Sequence, residues 1–524
     1  MSLHSFERCP PFMSSHSDNN KRIAKNTLLL YVRMLFMMLI SLYTSRVVLN
    51  ALGVEDYGIY TVVGGVVSMF SLISASLSTS ISRFITYELG AGRTENLMRV
   101  FSSSVTIQIG LAVIVVFIAE TVGLWFVNYK LVVPDIRLSA ANWCYQFSIL
   151  SFVIGLISVP YNAAIIAHEK MSAFAYISIL DAIGKLLIAW MILCNPIDRL
   201  VFYAALIAVM SCAIRMVYTW YCKHHFEECT YHFIYDHSLL KKMFGFAGWN
   251  FIGASSYILR ESGGNILINL FYGPVVNAAR AISSTVNTAV SGFVNNFMVA
   301  LDPQITKSYA SENKEYMFYL MFMGARFSFF ILLLLSLPLI INTPYVLMLW
   351  LKMVPDHSVL FVQLALVLSL SECLSGPLVT AMLATGRIRN YQLVVGGLQM
   401  LNFPLALLAL YMGAIPEIIV IIAILLDQLC LASRLVMLHK MIGLDIKVYL
   451  SQVYLRILVV TLLSMILPAL MYCFLSVGFQ GFVVSVLITV CSTAFVELYI
   501  GCSQEERSFV WMKATNLLSR FSKG

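Results

Sequence analysis

The chain has 524 residues, of which 60% are hydrophobic and only 11% charged, with a formal net charge of +8. A soluble domain carries about 25% charged residues, so composition excludes a soluble enzyme and makes lipid the solvent to reason with. The eleven cysteines include no CxxC pair, which excludes a disulfide framework and leaves the thiols as small, reduced packing groups.

In chain order, residues 1–26 are polar and place Lys21, Arg22 and Lys25 just ahead of the first apolar run. They read as a cytoplasmic tail, disordered over its first twenty residues, before an uncleaved membrane anchor. Apolar segments then follow at roughly 27–50, 58–88, 101–127, 138–161, 174–194, 200–221, 243–271, 276–305, 319–341, 359–384, 392–412, 415–438, 451–476 and 481–501. Each approaches or exceeds the roughly 20 residues that cross a bilayer as a helix. None shows the strict alternation of barrel strands. The expected fold is an all-α polytopic bundle of about fourteen transmembrane helices.

Loop charge sets the orientation. With the N-terminus inside, about twenty lysines and arginines fall in inner segments, against Lys130, Arg137, Arg199 and Lys352 outside. That positive-inside bias places both termini in the cytoplasm of a multi-pass protein. Outer loops are short, the longest being 342–358, where Tyr345 and Trp350 suggest an interfacial segment. No extramembrane domain is left to house a separate catalytic site. Near the C-terminus, Phe509, Met512, Leu517 and Phe521 are spaced like an amphipathic helix on the inner surface.

An offset of 220 residues superimposes Gly53 on Gly273, Val66 on Val286, Ile85 on Ile305, Thr86 on Thr306 and Glu95 on Glu315. An even number of spans between the copies implies two parallel lobes of six helices. The expected organisation is a tail at 1–26, a first lobe at 27–221, an inner loop at 222–242 and a second lobe at 243–438. An added helix pair at 451–501 and a tail at 502–524 complete it.

Charges inside spans carry the functional signal, because each costs about 2.5–3.5 kcal/mol at the centre of a lone helix. Arg83, Arg215, Arg434 and Arg456 sit near span ends, where snorkelling accounts for them. Asp181 and Lys185, four apart, read as a self-neutralising pair. Arg260-Glu261 stands near the middle of the seventh span and is followed by Gly263-Gly264, which would permit a bend or unwinding. Arg33 and Arg46 lie on the first span, the corresponding helix of the other lobe. Two cationic helices facing one cavity would suit an anionic substrate, since guanidinium matches phosphate bidentately. Glu372 and Asp427 have no local partner, and either could carry a proton or Na⁺. The stretch Cys222–Cys229 with His232 and His237 fits no zinc spacing, so no metal site is expected.

The stretch Leu52-Gly53-Val54-Glu55-Asp56-Tyr57-Gly58-Ile59-Tyr60, with Gly64-Gly65, Arg83-Phe84 and Glu88-Leu89-Gly90, resembles the first two spans of Wzx-type polysaccharide flippases. These belong to the multidrug/oligosaccharidyl-lipid/polysaccharide (MOP) exporter superfamily. Ala384-Thr385-Gly386-Arg387-Ile388-Arg389-Asn390-Tyr391 is similar to that family's loop between spans ten and eleven. The resemblance implies outward transfer of an undecaprenyl-diphosphate-linked oligosaccharide, an O-antigen or capsular repeat unit, across the bacterial inner membrane by ion-coupled alternating access. No enzyme activity and no cofactor beyond a coupling H⁺ or Na⁺ are expected.

On this reading Arg33, Arg46, Arg260 and Arg280 hold the substrate, and Glu261, Glu372 and Asp427 are the ion-coupling candidates. The expected partners are the lipid-linked glycan, membrane lipids and a polysaccharide polymerase, with no nucleic acid. The alternatives are a lipid II flippase of peptidoglycan synthesis and a MATE-like multidrug exporter. From another class comes a membrane glycan polymerase or ligase, which would need a larger outer loop.

Overall fold

A computed structural model describes residues 13–68, 70–129, 134–192, 198–232, 236–351, 354–472, 478–504 and 506–508. Every regular element among them is helical. Two compact units result: one runs to Met243 and takes in Val299–Pro303, and the other comprises Phe244–Met298 and the chain from Gln304 onward.

The first unit contains α1 (Met13–Ser68), α2 (Ser71–Gly90), α3 (Thr94–Ile118), α4 (Leu124–Tyr129), α5 (Leu138–Ala167), α6 (Met171–Met191) and α7 (Arg199–His225). Residues 13–26, expected as a tail, instead extend α1. Arg22 is held there by an ion pair of 2.9 Å to Glu169. Between the first two expected spans α1 breaks at Gly53, whose φ of 80° and ψ of 170° lie outside helical space and are open to a residue without Cβ. Helix α1 packs chiefly on α6, and α5 on α7 and α2.

One arginine ties three chain segments of this unit together at one end. Arg137, just before α5, reaches Asp56 on α1 at 2.5 Å and Asp198, the N-cap of α7, also at 2.5 Å. Burial raises the Asp198 carboxyl, but hydrogen bonds from Arg137 and the amides of Val201 and Leu200 outweigh it, leaving it below its usual range. At the opposite end His168 meets Glu228 at 2.5 Å and stacks on Phe226 at 4.0 Å.

The second unit begins within α8 (His237–Ala310). A straight helix of 1.5 Å rise would separate Glu261 and Arg280 by about 28 Å, yet the Arg280 Nη2 lies 3.4 Å from the Glu261 Oε2. The helix must therefore fold back between them. It thus contains the two expected spans 243–271 and 276–305. Then come α9 (Lys314–Leu351), α10 (Ser358–Glu372), α11 (Gly376–Thr385), α12 (Arg389–Tyr391), α13 (Gly397–Met400), α14 (Asn402–Tyr411) and α15 (Ile418–Ile442). The chain continues through α16 (Ile446–Tyr449), α17 (Leu455–Tyr472) and α18 (Phe479–Val496).

Two expected loops prove shorter. Helix α7 runs to His225 and α8 starts at His237, so helix claims both ends of 222–242. Lys223, His224 and His225 in the last turn of α7 suit the negative end of the helix dipole. Similarly, α9 continues through most of 342–358, bending at Asn342. Pro344 has no N–H for the Ile340 carbonyl, and Gln363 of α10 supplies one from its side chain at 3.0 Å. Asn342 does the same for the Pro338 carbonyl at 2.9 Å.

Among the described residues ten helices are long and apolar enough to cross a membrane. The other four expected spans, 27–50, 58–88, 243–271 and 276–305, fall on α1, α2 and α8. Large apolar residues such as Phe117, Val113 and Leu470 are more than 60% exposed, as lipid-facing positions are. The expected surface helix with Phe509, Met512, Leu517 and Phe521 lies outside the described residues. So do Lys130 and Lys352, together with Arg8, Lys513, Arg520 and Lys523 of the two tails.

Candidate functional site

The first limb of α8 presents Tyr257, Arg260, Glu261 and Gly264 over successive turns, at the three- and four-residue spacing that shares a face. Arg260 Nη2 lies 2.7 Å from Glu372 Oε1 at the end of α10. Its Nε approaches Glu261 Oε1 at 3.4 Å, and the guanidinium stands over the Tyr257 ring at 5.0 Å. Glu261 also receives Arg280 from the returning limb, at its carboxylate and at its backbone carbonyl. Adjacent in sequence, Arg260 and Glu261 thus share one network, in which the closest ion pair of Arg260 is made to another helix.

Gly263 and Gly264 do not unwind α8, which is helical throughout this stretch. They make room. A Cβ on Gly264 would stand 2.7–2.9 Å from the Arg280 guanidinium, and one on Gly263 would meet the Phe403 ring at 2.7 Å. The bare backbone at Gly264 lets Arg280 lie against the helix beside the Glu261 carbonyl.

A second layer lies on α10 and α15. Asp427, which looked partnerless in the sequence, accepts a hydrogen bond from the Ser371 hydroxyl. Gln428 donates to Ser371 at 2.6 Å and accepts from the Tyr454 hydroxyl at 3.0 Å. A π-helical turn over Leu450–Tyr454 carries that tyrosine. Arg434 does not snorkel. It is 4% exposed, donates to Ser375 at 2.7 Å and lies 3.9 Å from Asp427. Ser371, Ser375, Gln428 and Tyr454 were all missed by the sequence reading, and no periodicity in those segments singles them out.

Three arginines and three carboxylates therefore balance, but they are not equally accessible. The Arg260 and Arg280 side chains are 6% and 9% exposed, whereas Glu372 and Glu261 retain 32% and 38%. The carboxylates are thus more accessible than the guanidiniums they pair with. Among the described residues Arg260 Nε, Arg280 Nη1 and Arg434 Nε are buried without a hydrogen bond. That donor capacity is expensive to leave unused. Chemically, the cluster can bind a cation at its open carboxylates and, once these are neutralised, an anion at the arginines.

Of the remaining candidates, Arg33 belongs to the first unit, where its guanidinium lies over Phe174 at 4.3 Å. The side chain of Arg46 lies outside the described residues. Arg83 and Arg215 stand over the rings of Phe84 and Tyr161, and Lys185 meets Asp181 at 2.7 Å as a local pair.

A family described as "Polysaccharide biosynthesis protein" matches residues 23–309. Among solved structures, a MATE transporter in its bent conformation superimposes with a TM-score of 0.69 at 13% identity, covering 80% of this chain and 96% of that one. An outward-facing multidrug resistance MATE family transporter of the MOP superfamily gives 0.65 at 13%, over 80% and 94%. A mutant of the Vibrio cholerae MATE transporter VcmN gives 0.66 at 15%, over 82% and 98%. At such identities the likeness is one of fold. No curated protein matches the sequence. The chain belongs to the polysaccharide biosynthesis protein family, and its fold is similar to that of the MATE transporters.

Proposed function

We propose that this protein moves an undecaprenyl-diphosphate-linked oligosaccharide from the inner to the outer leaflet of the bacterial cytoplasmic membrane by alternating access. Its termini lie on the cytoplasmic side, and H⁺ or Na⁺ is the coupling ion. The observation that carries the reading is the Arg260–Glu372 pair, with its guanidinium buried and its carboxylate open. A diphosphate that takes Arg260 leaves Glu372 without its counter-charge. The carboxylate then takes up a proton or Na⁺ more readily, having lost the positive charge that favoured its ionised form. Anion and cation binding are thereby linked, each favouring the other. Arg280 and Glu261 form a second pair of the same kind, and Asp427 with Arg434 a more buried one.

Family membership supports a glycan precursor as substrate, and a polysaccharide polymerase is the partner that would consume it. The MATE-like fold supports alternating access between two lobes. A cationic drug would be poorly served where three arginines converge with the acids.

Deleting the gene should trap lipid-linked repeat units in the inner leaflet, and Arg260→Ala should fail to restore surface polysaccharide at normal expression. A deletion strain with normal surface polysaccharide and no paralogue would overturn the proposal. Lethality of the deletion would point instead to the lipid II reading.

A further inference from the structure

We propose a second binding site on the first unit: a groove for the hydroxyl-rich sugars of the glycan, separate from the arginine network and dependent on the transport reading above for its ligand. An open groove of about 510 Å³ is lined by Asp135, Leu138, Ser139, Asn142, Trp143 and Gln146. These residues recur every three or four positions and so occupy one face at the start of α5. The distribution of lysine and arginine assigns this end to the exterior. Its volume falls within the roughly 300–1,000 Å³ usual for small-ligand sites.

The polar wall is constructed. Asn142 and Asn128 exchange amide hydrogen bonds of 2.9 and 3.1 Å, and Gln146 donates to Glu120 at 3.1 Å. Glu120 lies in a π-helical turn, Ala119–Gly123, where α3 gains a residue before α4. The Tyr145 hydroxyl donates to the Ala119 carbonyl of that turn at 2.9 Å. A Cβ at Gly123 would stand 1.9 Å from the same hydroxyl. Glycine, π-turn and buried tyrosine together set Glu120 opposite Gln146. A plain helix pair needs none of this, and unsatisfied amides at this depth would be costly.

The lining chemistry selects the ligand. Trp143 is 56% exposed and backed by Phe147, with ring centroids 6.0 Å apart. An indole offers an apolar platform to the C–H face of a pyranose, and carboxylate, amide and hydroxyl groups match its hydroxyls. No cation lines the groove among the described residues. The nearby Arg137 is neutralised by Asp56 and Asp198. Asp135 and Glu120 would repel a diphosphate. The groove therefore suits neutral or amino sugars, while the arginines of the second unit suit the phosphates. The Arg137 clamp fixes α5 against α1 and α7, so the groove is held in shape before ligand arrives.

The test uses the full-length protein in nanodiscs. The probe is the lipid-free oligosaccharide released by mild acid from the host's own lipid-linked precursor, read by saturation-transfer NMR. Wild-type protein should bind it, and Trp143→Leu and Ser139→Ala should each weaken binding, the former about tenfold. Inorganic pyrophosphate should not displace the sugar, and Arg260→Ala should leave its binding intact. An unchanged thermal midpoint for Trp143→Leu, whose ring is exposed, separates lost binding from lost fold. No binding to wild type, equal binding to Trp143→Leu, or displacement by pyrophosphate would each overturn the groove. A flipping assay of Arg260→Ala in the same preparation judges the transport reading independently.

Discussion

Arg260 and Glu372 meet at 2.7 Å, joining the first limb of α8 to the end of α10 through one guanidinium and one carboxylate. Neither residue is costed correctly alone. The arginine is almost fully buried, and its carboxylate partners make that tolerable.

Breaking the pair from one side should therefore hurt stability more than removing both charges. Glu372→Leu is expected to cost on the order of 2–3 kcal/mol, reduced from the fully buried case because Glu372 keeps some solvent. The double variant Arg260→Leu with Glu372→Leu should regain most of that loss, yet remain inactive in transport. Thermal unfolding in detergent beside a flipping assay checks both, and an active double variant would remove the pair from the mechanism.

Linkage between anion and cation gives a sharper expectation. In Glu372→Gln, Arg260 loses its competitor, so pyrophosphate should bind more tightly, by about tenfold. Its affinity should also lose most of the wild-type dependence on pH or Na⁺. Calorimetry on the purified protein decides this; weaker binding in Glu372→Gln would show that the arginine is not being released.

Gly264→Ala separates packing from function. The added Cβ would collide with the tip of Arg280, a flexible group that can swing away. Stability should change by less than about 1 kcal/mol, while transport falls because Arg280 leaves Glu261. A large stability loss with normal transport would contradict this account.

The Arg137 clamp supplies a pH prediction. The Asp198 carboxyl is held below its usual range, so it contributes stability above the unfolded carboxylate range. That contribution disappears as pH falls through the lowered folded value. Wild type should be more stable than Asp198→Asn near neutrality, by about 1 kcal/mol because the pair is partly exposed. The two should converge in acid, and thermal midpoints measured from neutral pH downward would show it. A constant gap would mean that charge is not what the clamp contributes.

How much was legible varies with the kind of information needed. Ten of the expected spans coincide with apolar helices, because solvation by lipid acts on each segment independently. The gap expected between the first two spans holds the break at Gly53, since backbone geometry is local. The glycine pair in α8 was misread: the same absence of Cβ that permits unwinding also permits close approach, and only the neighbours Phe403 and Arg280 show which applies. Arg434 was misread because its position near a span end suggested an exit to water, whereas Ser375 and Asp427 enclose it.

The sequence alone determined that the chain lives in a membrane, where helices run and which spans carry charges too costly to be idle. It could not say which charges meet. A helix in lipid is apolar around most of its circumference, so periodicity hardly marks the face that turns toward its neighbours. Pairing Arg260 with Glu372, Arg280 with Glu261 and Asp427 with Ser371 depends on helix rotation and on the fold-back of α8. Those were decided by tertiary packing, through contacts between residues far apart in the chain.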